Sequence, residues 1–131
     1  MTYSSFLSAL SSLVVTGVTK QFGEPPAQLN SAQLPAQYVG LPSANTSAVT
    51  LTSLTDLLTV TAELRIAIEP LAQNMQSANW TKTVGLLDAL QTALVANAAA
   101  LALDEWRIGV EVAPIGDVAY WVIVATVTGS F

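Results

Sequence analysis

The chain has 131 residues, the size of one domain able to bury a core of its own. Only four Lys or Arg and nine Asp or Glu carry charge, 10% of the chain against a usual quarter, and histidine and cysteine are absent. Imidazole bases, thiolate nucleophiles, nitrogen or sulfur metal ligands and disulfides are thereby excluded, and Lys20, Arg65, Lys82 and Arg107 are too scattered to neutralise a phosphate backbone.

In chain order, Phe6, Leu10, Leu13, Val14, Gly17 and Val18 recur at helical spacing and predict a helix over about Ser5–Lys20, with Ser4 or Ser5 as its N-cap. Gly23, Pro25 and Pro26 stop it. A segment at about 25–55 then runs without one charge and is rich in Pro, Gln, Ser and Asn. Short strands are expected within it at 37–41 and 48–53. Two readings fit so neutral a connection: an arm lying on a neighbouring subunit, or a loop packed over its own domain.

Leu58, Val60, Ala62, Leu64, Ile66 and Ile68 alternate with Thr59, Thr61, Glu63, Arg65, Ala67 and Glu69, the period of a long strand with one face on a core. Pro70 ends it. Asn79 is a fitting N-cap for a second helix through about Leu103, whose inner face is Val84, Leu87, Leu90, Leu94, Ala98 and Leu101. A strand with Trp106, Ile108, Val110 and Val112 on one side follows, then a turn at Pro114, Gly116 and Asp117, then a last strand from Val118 to Thr128. Tyr120–Val124 is apolar on both faces, which predicts cover on both sides, one by the helices and one by another subunit. Asp in place of Val122 or Val124 is therefore expected to abolish folding or assembly alike. The order predicts a single α+β domain, 1–131, with a mainly antiparallel sheet flanked by two helices.

No uncharged run reaches the roughly 20 apolar residues of a membrane-spanning helix, since hydroxyl residues interrupt 2–19 and 89–103 is too short. No membrane partner is expected. Glu63 and Glu69 stand about 20 Å apart on a strand, too far for an acid and base pair. Asp104 and Glu105 read as punctuation after the helix, and the glycines form no phosphate loop. Asn45–Ser47 and Asn79–Thr81 spell glycosylation acceptors but read as turn and cap residues. No catalytic, cofactor-binding or metal residue is expected.

Covering so much neutral surface calls for protein subunits, which makes self-association the leading expectation. Candidate interface residues are Leu34, Tyr38, Val39 and Leu41 in the neutral segment, with Trp121, Ile123 and Phe131 at the C-terminal end. The polar face Thr59, Thr61, Glu63, Arg65 and Glu69 is either a solvated sheet face or, in a ring, the wall of its channel. Trp80, Trp106, Tyr120 and Trp121 serve either core or interface.

An opening amphipathic helix, Pro25-Pro26, the run Gln33-Leu34-Pro35-Ala36-Gln37-Tyr38-Val39, a long alternating strand, a second helix and a closing hairpin together resemble neck proteins of tailed bacteriophages, most of all tail terminators. The resemblance implies a homo-oligomeric ring, a hexamer, at the head-proximal end of the tail. Such a ring ends tube polymerisation and joins tail to head, with the tail tube protein and the head connector as partners. DNA passes through it without tight binding, and the subunit is assembled in the host cytoplasm into the virion. A stopper, adaptor or head-completion protein fits the same features. A small-molecule-binding module with Trp106 or Trp121 as pocket wall is the alternative from another class.

Overall fold

The computed structural model describes residues 2–46, 58–70 and 77–130. The elements are α1 (Tyr3–Ser11), β1 (Lys20–Gln21), β2 (Ala36–Val39), β3 (Ser43–Thr46), β4 (Leu58–Pro70), α2 (Ser77–Asn97), β5 (Leu103–Ile115) and β6 (Val118–Ser130). One six-stranded sheet has the order β1-β2-β4-β6-β5, with β3 on the same edge of β4 as β2. Every pairing is antiparallel except β1 with β2, so the class is α+β. The expected strand at 48–53 and Phe131 lie outside the described residues.

The α1 helix is capped by Thr2 in a reciprocal box with Ser5, so it starts earlier than the sequence suggests. It also ends nine residues before the expected Lys20. Val14, Val15 and Thr16 lose side-chain freedom in a helix, and Gly17 takes φ +100 where α2 comes close. Two amides stand in for the missing turns: Gln37 Nε2 donates to the carbonyls of Ser11 (3.2 Å) and Leu13 (2.9 Å), and Gln21 Nε2 donates to Leu13 (2.8 Å). The α2 helix begins before Asn79 and ends at Asn97, not Leu103. Ala102 at φ 54 turns the chain into β5, where Leu103 already belongs.

Both helices cover one face of the sheet. Phe6 and Leu10 of α1 and Leu86, Leu90 and Leu94 of α2 pack on Val60, Leu64, Ile66, Ile123 and Val127. This is the apolar side of β4 that the alternation predicts. The inward line of α2 is rotated from the expected one, because Val84 and Leu87 are only half-buried while Leu86 and Ala93 are buried.

The opposite face is divided. Toward the β5–β6 turn, Tyr38, Ala67, Ala113, Ile115, Tyr120 and Val122 form a second buried cluster under Phe22, Leu29 and Leu34. Tyr120 donates its hydroxyl to the Leu29 carbonyl at 3.3 Å. Tyr120 and Val122 are indeed covered on this side, yet the cover is this chain's own 22–34 segment, with no need for a neighbour; Trp121 and Val124 stay only half-buried, so the expected two-sided burial does not extend to them. Away from the turn, the same face is polar and open.

Candidate functional site

The open half of the second face is built from three strands. Thr59, Thr61, Glu63 and Arg65 of β4 stand opposite Ser130, Thr128, Thr126 and Val124 of β6, and these last three stand opposite Glu105, Arg107 and Gly109 of β5. Directly opposite residues point to the same side of a sheet, so four of the five expected channel-facing residues share one surface. Glu69 does not. A bulge between Ala67 and Glu69 shifts the pairing, placing Glu69 opposite Trp121 on the helix side, where it meets Lys82 of α2 at 3.7 Å. Strict alternation carries no sign of such a bulge.

Arg65 organises this surface. Its Nη2 and Nε lie 2.6 and 2.9 Å from Glu63 Oε2, and its Nη1 lies 3.1 Å from Glu111 Oε1 across β6. Partial burial disfavours the cation, but the hydrogen bond and Coulomb attraction of Glu63 outweigh it and raise the Arg65 pKa. Arg107, on the same surface, makes no ion pair among the described residues. A depression of about 270 Å³ over Gly109 and Val124 is rimmed by Glu63, Arg65, Arg107 and Glu111. With three glutamates, at 63, 105 and 111, against two arginines, the surface is slightly acidic and one arginine is already neutralised. Its chemistry suits water and hydrogen-bonding groups, and it opposes a polyanion. Among the described residues, no three acidic side chains converge as metal ligands would.

The residues expected at an interface separate into two groups. Tyr38, Val39 and Ile123 are buried in the chain's own clusters, and Leu34 packs over the second one, so these four are consumed by the fold. Their apolar character suggests an unmet demand for cover, but the 22–34 segment and the helices already meet it. Leu41 is 94% exposed, in the three-residue interruption between β2 and β3. Trp121 is half-buried and lines an apolar groove of about 330 Å³ with Trp80, Thr83, Val84, Leu87 and Val110.

Sequence patterning does not single out that groove. It forms because the N-terminal part of α2 leaves the outer half of β5 uncovered. Trp80 is 63% exposed, and Val110 and Val112 are 42% and 46% exposed on the helix side of β5. The half-burial of Val84 and Leu87, a departure from the expected helix face, is the same feature seen from α2. Trp106 does not join the groove; its Nε1 donates to Gln91 Oε1 of α2 at 2.8 Å. Among the described residues, no helix is long and apolar enough to cross a membrane. Compared with models of protein families and with curated proteins, the chain matches none.

Proposed function

We propose that the protein is a structural subunit that assembles with copies of itself, forming a ring at the head-proximal end of a bacteriophage tail. The observation that carries self-assembly is the open apolar groove: a mostly exposed tryptophan beside two half-exposed valines, in a chain with very few charges to keep such surface apart. The tail-end role rests on the resemblance of element order to tail terminators. In that role the subunit ends tube polymerisation and joins the tail tube protein to the head connector within the virion. The polar face of Thr59, Thr61, Glu63 and Arg65 then lines the channel, its slight negative charge letting DNA slide past without adhering.

Light scattering coupled to size exclusion, followed by negative-stain microscopy, tests the reading. A multiple of the 13.7 kDa chain mass with annular particles is the expected result. A chain that stays monomeric at tens of micromolar, alone and mixed with tail tubes, would sink it.

A further inference from the structure

We propose that two copies of this chain pair through β5, antiparallel, about a two-fold axis at Gly109. β5 is a long edge strand with nothing paired on its outer side among the described residues. Its hydrogen-bonding parity follows from the hairpin. Ile115 and Val118 flank the two-residue turn Gly116-Asp117 and are therefore a hydrogen-bonded pair. Counting back by twos, Ala113, Glu111, Gly109 and Arg107 bond to β6. Val112, Val110, Ile108 and Trp106 then turn their backbone groups outward. Pro114, which lacks an N–H, falls on the outward set, where a proline is tolerated.

The free edge is a template for another strand, and its side chains select the register. With the axis at Gly109, Arg107 of each copy stands opposite Glu111 of the other, twice, at non-hydrogen-bonded positions where side chains approach most closely. On the helix side the same register sets Ile108 opposite Val110 and Trp106 opposite Val112. Moving the axis to Ile108 opposes Glu105 with Glu111; moving it to Arg107 or Glu111 opposes like with like. An axis at Val110 leaves Arg107 facing Ala113. An axis at Trp106 also opposes Arg107 with Glu105, but it overlaps only residues 103–109, whereas an axis at Gly109 overlaps the whole of β5. Gly109 thus combines complementary charge with full overlap, and it gives Arg107 a partner that no described residue of its own chain supplies.

Area points the same way. Trp80, Val110 and Val112 leave on the order of 300 Å² of apolar side chain in water, well short of the roughly 800 Å² per partner of a stable interface. The groove alone is therefore insufficient, and its occupant must also cover the adjoining strand edge, as a second β5 does. The pairing goes beyond the ring and does not depend on it, because a two-fold contact closes a dimer by itself.

The 131-residue chain at about 50 µM, where mass action favours association, is measured by light scattering coupled to size exclusion. Twice the 13.7 kDa chain mass is expected. Arg107→Glu or Glu111→Arg alone should weaken the dimer at least about tenfold, and the double swap should restore it. Because Glu111→Arg also removes an Arg65 contact, Val110→Pro provides an independent arm. It deletes an outward N–H that no described strand of the same chain uses, and should give a folded monomer by circular dichroism. A monomeric wild type, or a dimer indifferent to all these changes, overturns the pairing. So does failure of the double swap to restore the mass. A larger annular assembly that survives Arg107→Glu and Val110→Pro overturns the pairing and leaves the ring reading intact. A wild-type dimer that dissociates in the variants and never grows into a ring supports the pairing and removes the ring.

Discussion

Val122 and Val124 are two residues apart on β6 and face the same side of the sheet, yet the structure assigns them opposite responses to aspartate. Val122 is wholly buried in the cluster beneath the 22–34 segment. Val122→Asp forfeits about 1.5–2 kcal/mol of apolar burial and adds the cost of a carboxyl group with no partner, several kcal/mol in a real interior. The sum is about 4 kcal/mol or more, a large part of the roughly 5–15 kcal/mol that a domain of this size commands. Val124 lies at the rim of that cluster, half-buried, with Arg65 and Gly109 opposite it. A carboxylate there meets water and a guanidinium, so Val124→Asp should stay within about 1 kcal/mol of wild type. Urea unfolding followed by far-ultraviolet circular dichroism reads both. Burial raises the folded pKa of the carboxyl introduced by Val122→Asp above its unfolded value, so the deficit of that variant should be smallest at about pH 4 and grow toward neutral pH. Equal damage at the two positions, or a Val122→Asp chain as stable as wild type, would refute the assignment of the two covers.

Two further outcomes follow. Gly116 sits at φ +63, and a Cβ there would fall 2.7 Å from the Ala27 carbonyl oxygen. Gly116→Ala should therefore lower stability by about 2 kcal/mol, and an unchanged urea midpoint would contradict the close seating of the turn on residues 27–28. Burial raises the pKa of the Tyr38 phenol, with Arg65 opposing the shift. The unfolded phenol ionises first, so the stability held by Tyr38 is complete below about pH 10 and is lost as pH climbs through the higher folded value. Melting curves between about pH 9 and 11 should fall less steeply for Tyr38→Phe; identical slopes would show that the phenol does not contribute.

Local pattern makes the sheet legible. The alternation of Leu58–Glu69 needs only a core on one side, and the apolar spacing of α2 and the Gly116-Asp117 turn are equally local signals. What is not legible depends on partners far along the chain. The end of α1 is decided by amides at positions 21 and 37, and the orientation of Glu69 by one bulge. Neutrality of the segment at about 25–55 signals a surface to be covered but not whose surface, and its residues 47–55 lie outside the described part. Its front part covers Tyr120 and Val122 of the same chain, which is why apolar character alone misplaces Leu34, Tyr38, Val39 and Ile123 at an interface. The Arg65–Glu111 contact spans three strands and leaves no local trace. The groove at Trp80 has a faint one: an aromatic in the first turn of a helix, with valines at matching positions of the outermost strand.

The four residues of β2 are all buried, two on each face, so hydrophobicity gives that strand no reason to prefer one alignment over its neighbours. Gln37 breaks the tie. Its Nε2 meets two carbonyls released where α1 unwinds, while its Oε1 is left without a hydrogen-bond donor among the described residues. A slip of one residue would swing the amide to the far side of the sheet and strand those carbonyls as well. A side chain that costs the fold one unpaired oxygen thus removes its competitors through its nitrogen, and a strand too short and too uniformly buried to align itself is keyed into place by one imperfectly satisfied amide.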